Sequence, residues 1–238
     1  MCVVTLIVTS FDVNIRPMAA SDPSKTPAGA RRYRGVDAQA RTAERREKFI
    51  AAGLECFGTR GYHDVTVREL CGAARLTERY FYESFKDRET LFAAVYEFLI
   101  TRLRADLLAA IAAGPLEPEA MARAGLGVFF RGLKRDPRVA RILLLEVLSV
   151  SRDMDRLAQR ATLGFGDLLK EMALGRLPFR GSDVEADFMA TGLIGATIHI
   201  AMRWTLAGFR QPVTTVIESA LGFFQALVRH HGIGASPS

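Results

Sequence analysis

The sequence predicts an all-α chain of about nine helices, a small three-helix domain followed by a larger helical one. Three observations carry that expectation. From Ala43 onward apolar residues recur at intervals of three and four. Residues that cap helix N-termini punctuate the pattern again and again. No pair of alternating runs joined by a tight Gly/Asn turn marks a hairpin.

The elements follow in order. Residues 13–40, rich in Pro, Gly, Ala, Ser and Arg without a sustained period, read as a mobile arm. Ile50, Leu54 and Phe57 sit at helical spacing, with Gly61 as a stop. Thr66-Val67-Arg68-Glu69 is a capping box that opens a short helix to about Ala73. Thr77 caps a second short helix through about Ser84, and Asp87 a longer one with the stripe Leu91, Val95, Phe98 and Leu103. Asp136-Pro137 places a cap before a proline at the first helical position and leads into 142–150. Ser151, with Asp153 and Asp155 behind it, starts a helix to about Leu174. Ser182-Asp183-Val184-Glu185 is a second capping box, before the long apolar stretch Phe188–Phe209. Gln211-Pro212 opens the last helix, which ends near Gly232 ahead of the tail 233–238.

Phe188–Phe209 has the length of a membrane span, but His199 and Arg203 lie inside it and no second span exists, so burial in protein is expected instead. Met1–Phe11 is apolar yet lacks the basic start of a secretory signal, and Met18 is an alternative start of translation. Cys2, Cys56 and Cys71 have no zinc-type or paired spacing, which excludes a disulfide scaffold and fits a reducing cytoplasm.

Function concentrates in 66–88. Two helices this short bury little by themselves and need the helices before and after them as a platform. Val67, Leu70, Ala74, Leu76, Phe81 and Phe85 form their inward face. Arg68, Glu78, Arg79, Tyr80, Tyr82 and Lys86, followed by Arg88, are left for the other. This is the layout of a helix-turn-helix, whose second helix enters the major groove of DNA.

On those residues the sequence resembles the TetR family of transcription regulators. The resemblance rests on Phe57-x-x-x-Gly61-Tyr62, Thr66-Val67-Arg68-Glu69-Leu70, Ala73-Ala74-x-Leu76-Thr77-x-x-x-Phe81-Tyr82-x-x-Phe85 and Arg88-Glu89-x-Leu91. It is specific across 43–103; beyond, it rests on helix count and the stretch Leu193–Trp204. The resemblance implies that the hydroxyl and amide of Thr66 meet a phosphate, and that Arg68 stands where some members reach a base. It further implies that Thr77, Glu78, Arg79 and Tyr80 face base edges or nearby phosphates. Tyr82 matches a tyrosine that contacts the backbone, and Arg88 stands where the family usually has a phosphate-binding Lys. Two positions depart from the pattern. Arg75 occupies a turn position where the family commonly has Gly, and Glu78 is acidic where it approaches DNA, either accepting from cytosine N4 or orienting Arg79.

The net charge of +6 suits an anionic partner. Between Arg31 and Lys48 seven basic residues face three acidic ones, and such an arm either lies along DNA or merely steers association. The organisation expected is therefore a basic arm at 1–40, a DNA-binding domain at 41–104, a helical effector-binding and dimerisation domain at 105–232, and a tail.

For 105–232 the resemblance implies dimerisation through the last two helices and a small-molecule effector in an internal cavity. Gly192, Gly195 and Ala196 on one helix, and Val216, Ala220, Phe223, Phe224 and Leu227 on the next, fit a four-helix bundle between two subunits. Phe129, Phe130, Phe165, Met189, Met202 and Trp204 are candidate cavity residues, and His199 with Arg203, one turn apart, a candidate anion site, though residues of these kinds at helical spacing are more often plain core. Glu146 finds no place in this reading. No HExxH, phosphate loop or nucleophile elbow is present, and no metal or cofactor is called for. The sequence thus points to a homodimeric, ligand-responsive repressor of a palindromic operator, expected to act by shifting its reading heads through the helix Arg88–Arg104. The competing readings are a nonspecific DNA-coating protein and an all-helical enzyme.

Overall fold

In the computed structural model the described residues are 29–115, 117–171 and 181–230. The N-terminal apolar stretch, Met18, Cys2, the tail and the far ends of two helices lie outside them. The chain divides into the units 1–40 and 41–238, and the first contributes only helical backbone from Gly29.

The helices are α1 Gly29–Arg60, α2 Val67–Ala74, α3 Glu78–Ser84, α4 Arg88–Ala112 and α5 Pro118–Arg135, then α6 Pro137–Ala140, a π-helical turn Arg141–Glu146 and α7 Val147–Val150, and finally α8 Arg152–Leu169, α9 Asp183–Leu206 and α10 Val213–His230. The three pieces from Pro137 to Val150 run on as one rod, so the described residues form nine helical segments and no strand. The first helix starts well before Ala43. Residues 29–40 lack an apolar stripe, which hid the helix, but their Arg, Ala and Gln favour one by backbone propensity alone.

The caps form as the sequence requires. The Thr66 hydroxyl accepts from the Glu69 amide while the Glu69 carboxylate accepts from the Thr66 amide; Ser182 and Glu185 repeat the device. Asp87, Asp136 and Ser151 each accept from the first turn of their helix. Thr77 occupies the cap position of α3 without a side-chain bond.

Around α2 and α3 the core is aromatic. Phe49, Phe57, Phe81, Phe85 and Phe92 are fully buried, and Phe49 meets Phe81 edge-on at 5.4 Å and Phe85 at 6.3 Å. The buried stripe of α1 is Phe49, Ala52, Cys56 and Phe57, with Ile50 and Leu54 packed at its flank. On α4, Leu91 and Val95 are buried as expected, but Phe98 lies outside; Phe92, Tyr96 and Leu99 complete the inward face. In α10, Val216, Ala220 and Phe224 are buried within the subunit and only Phe223 of the expected interface stripe stays well exposed. The long apolar α9 is not buried all round either. Ala186, Ala190, Ala201 and Trp204 face the core, whereas Val184, Phe188 and Leu206 face outward. No helix among the described residues is long and apolar enough to cross a membrane.

The turn between α2 and α3 is a Schellman motif: the Leu76 amide donates to the Cys71 carbonyl at 3.0 Å and the Arg75 amide to the Gly72 carbonyl at 3.2 Å. It puts Arg75 at φ 54°, ψ 42°, the left-handed region that costs a side-chain-bearing residue roughly 1–2 kcal/mol. Glycine relieves that strain and gives back part of the gain in backbone entropy, so Arg75→Gly is expected to raise unfolding free energy by roughly 0.5–1 kcal/mol, read as a higher midpoint in urea.

The Thr66 amide, the Arg60 side chain and the Thr66 hydroxyl together hold the Glu69 carboxyl down to about 2 from 4.5. A depressed carboxyl stabilises the fold above its unfolded value, and that contribution is lost as pH falls through the window between the two. Glu69→Gln is therefore expected to flatten the stability profile between those two pH values, measured by urea melts across the acid range.

Candidate nucleic-acid interface and internal cavity

The second helix of the motif, α3, is anchored by Phe81 and exposes its opposite face. Arg68, Thr77, Glu78, Arg79, Tyr82 and Lys86 are all exposed, with Tyr82 at 59%, and Tyr80 is half-buried. Together they form one surface around α3, where the Thr77 hydroxyl makes no cap bond to the helix. Arg79 is held not by Glu78 but by Glu83, one turn on, whose carboxylate accepts from its Nε at 3.0 Å. The reason is geometric: residues four apart share a helix face and adjacent ones do not. Two further placements differ from expectation. Thr66 gives both its amide and its hydroxyl to Glu69. Arg88 turns inward, donating to the Tyr62 and Val65 carbonyls and stacking 5.0 Å from the Tyr62 ring, because the carbonyls of the preceding corner lie within its reach.

Two basic residues attributed to the arm belong to this site. Arg45 stacks 4.4 Å over Tyr80, and Arg46 stacks 4.5 Å over Phe85 and donates to the Ser84 carbonyl at 3.3 Å. Their positions four and three residues before Phe49, one turn ahead of the apolar stripe of α1, were the available signal.

The helices from α4 onward line a cavity of about 380 Å³, within the range of small-molecule sites. Its walls come from α4, α5, the Pro137–Val150 rod, α8, α9 and α10. Of the candidates, Phe129, Phe165, Met202 and His199 line it; Phe130, Met189, Arg203 and Trp204 do not. Phe130 and Trp204 meet edge to face at 6.0 Å, and the indole donates to the Gln211 carbonyl at 3.0 Å, so both are plain core. His199 is exposed, at the mouth, with Nδ1 3.0 Å from the Gly195 carbonyl. Among the described residues, no charged side chain lines the cavity. The hydroxyls of Thr162 and Thr197 are returned to their own helix, whereas that of Tyr96 bonds no described residue. Burial pushes the Tyr96 phenol up to about 12, so it remains a neutral donor.

Glu146 proves central. Its Oε2 accepts from the Tyr62 amide at 2.7 Å and its Oε1 from Arg141 Nε at 2.8 Å. Arg141 also donates to the Thr59 and Arg60 carbonyls at 2.7 and 3.0 Å. Residues five apart do not meet on an α-helix, but the wider π-turn stacks them. The clamp closes on Gly61, at φ 96°, where a Cβ would lie 2.7 Å from Arg141 Nη2 and 2.9 Å from Glu146 Oε1. The same rod gives Leu143, Leu144, Val147 and Leu148 to the cavity wall.

Residues 49–95 match the family model described as bacterial regulatory proteins, tetR family. The uncharacterized HTH-type transcriptional regulator YdgC of Bacillus subtilis is 23% identical over 190 residues, 74% of this chain and 88% of that protein. Thermus thermophilus FadR, a TetR family transcriptional repressor in complex with lauroyl-CoA, superposes with a TM-score of 0.59 at 23% identity, covering 81% of this chain and 98% of that one. Bacillus subtilis FadR in complex with stearoyl-CoA gives 0.63 at 16% identity, over 74% and 95%. Fold and site define a helix-turn-helix transcriptional regulator that binds DNA. Residues 49–95 carry the DNA-binding motif of the tetR family.

Gly61→Ala forces both left-handed strain and a clash with the clamp, and is expected to destabilise by roughly 2 kcal/mol or more, read in thermal unfolding beside Gly72→Ala, whose Cβ meets nothing.

Proposed function

We propose that the protein is a homodimeric, cytoplasmic repressor that releases a two-fold symmetric operator when a long apolar chain enters its cavity, and that it carries no catalytic activity. The observation that carries this reading is the rod Pro137–Val150, which walls the cavity with one face and grips the α1–α2 corner with the other. Helix α4 adds a second path: Tyr96, Ile100 and Leu103 touch the cavity, and Arg88 at its start holds the same corner. An occupant that spreads these walls therefore biases how the reading helices are carried.

An uncharged apolar cavity of about 380 Å³ suits a chain of roughly a dozen carbons at about 30 Å³ each, close to the share of a water molecule. The acyl-CoA ligands of the two FadR structures support an acyl compound. Val184, Phe188, Leu206 and Phe223, exposed on α9 and α10, support pairing of two subunits through those helices, which sets two reading heads on a palindrome. Arg68, Thr77, Arg79, Tyr80, Tyr82 and Lys86 are the groups proposed to meet DNA, with Arg88 and Thr66 holding the corner behind them.

The test is selection of bound duplexes from a random pool, followed by titration of the selected operator complex with lauroyl-CoA and with CoA alone. A palindrome released at least tenfold by lauroyl-CoA and not by CoA is expected; unchanged operator affinity at saturation overturns the proposal. Tyr96→Phe is expected to weaken lauroyl-CoA binding several-fold by loss of one hydrogen bond while the ligand-free protein binds operator as before. Glu146→Gln is expected to bind both partners but to lose most of the release, measured by fluorescence anisotropy.

A further inference from the structure

We infer that Arg79 reads a guanine in each half-site and that Glu83 and Arg45 are positioning residues that aim it. The inference rests on the chain being a sequence-specific DNA-binding regulator and adds the base it reads and the groups that set that choice.

An arginine guanidinium has two edges that can bind in pairs. Glu83 engages Arg79 through Nε at 3.0 Å. The two Nη groups of Arg79 bond no described residue, and the side chain is 83% exposed. What Arg79 offers outward is therefore the terminal fork, held at a set angle. Guanine shows two acceptors, O6 and N7, side by side in the major groove, and the fork of an arginine matches that pair as it matches no other base.

Glu83 is itself restrained. Its second oxygen faces Arg45 Nη1 at 3.7 Å. Arg45 is fixed in turn by Nε on the Arg41 carbonyl at 3.2 Å, by Nη2 on the Thr42 hydroxyl at 3.2 Å, and by its seat over the Tyr80 ring. The line from α1 through Arg45 and Glu83 to Arg79 thus fixes a long side chain before DNA arrives, and less ordering remains to be done on binding. Arg68 and Lys86, equally exposed, bond no described residue and have no such brace. An exposed i,i+4 pair adds little to stability, so the cluster is explained by where it sends the fork. A carboxylate beside phosphates also repels non-cognate DNA, and its retention on a DNA-facing helix fits a gain in discrimination rather than in affinity.

The experiment is parallel selection of duplexes by the full-length wild type, Glu83→Gln, Arg79→Ala and the double variant, with affinities then measured for the selected site, its single-base variants and a random duplex. The wild type is expected to prefer guanine at one half-site position by about tenfold. Glu83→Gln should cut that preference to about threefold or less at that position alone, while its affinity for random duplex rises because a negative charge is gone. In the Arg79→Ala background, Glu83→Gln should change nothing at that base pair. A site with no guanine that depends on Arg79 overturns the inference, as does a Glu83→Gln protein that keeps the preference or loses affinity for all duplexes alike. A wild type that binds without enriching any sequence overturns the regulator assignment and the inference with it.

Discussion

Glu146 accepts a backbone amide from a corner 84 residues earlier in the chain, and the packing of that corner depends on the bond. The Tyr62 amide sits at the corner where α1 ends and the motif begins, and the carboxylate meets it at 2.7 Å. Around this bond the structure is built without slack. Gly61 leaves no room for a side chain, and Gly58 lets α6 approach so closely that a Cβ would lie 2.4 Å from that of Arg138. His63 reaches the Ser149 carbonyl at 3.0 Å, and Ser151 donates to Glu89 at 2.6 Å. A half-buried carboxylate is tolerated here because it is fully bonded; removing one partner would leave the other polar groups unmatched. The corner and the π-turn therefore move as one piece or not at all.

From that corner outward the motif is held by aromatic packing. Helices of eight and seven residues do not persist alone. Phe81 and Phe85 fasten α3 to Phe49 on α1, and Leu70 and Ala74 fasten α2. Polar groups on the outside then finish what the core begins, with Arg45 and Arg46 lying across α3. Helix α3 is thus held from both sides, by the aromatic core within and by Arg45 and Arg46 without.

Much of this was legible from the residues. Caps are local: Thr66 with Glu69, Asp87 and Ser182 with Glu185 announce helix starts whatever surrounds them, and each start fell where its cap stood. The exposed side of α3 followed from the apolar positions that had to point inward. Other features answer to tertiary context. Glu146 and Arg141 are five apart, a spacing that carries no meaning on an α-helix, so a π-turn concealed their pairing. Arg88 reads as a phosphate ligand until the carbonyls of Tyr62 and Val65 appear beside it. Apolar side chains look alike in sequence whether they fill space or surround it, which is why Phe130 and Trp204 were candidates for a cavity that Leu143, Leu144 and Tyr96 line instead. The exposed half of α9 was hidden for the same reason.

The cavity also has a meaning for how long the protein lasts. Side chains that line a cavity make fewer contacts with one another than those of a packed interior. Anything that binds there and has no affinity for the unfolded chain raises stability by mass action. The occupied protein is then the more durable one, less often open to proteolysis and aggregation. Under the proposed function, the protein's abundance would follow the supply of the ligand that completes its interior.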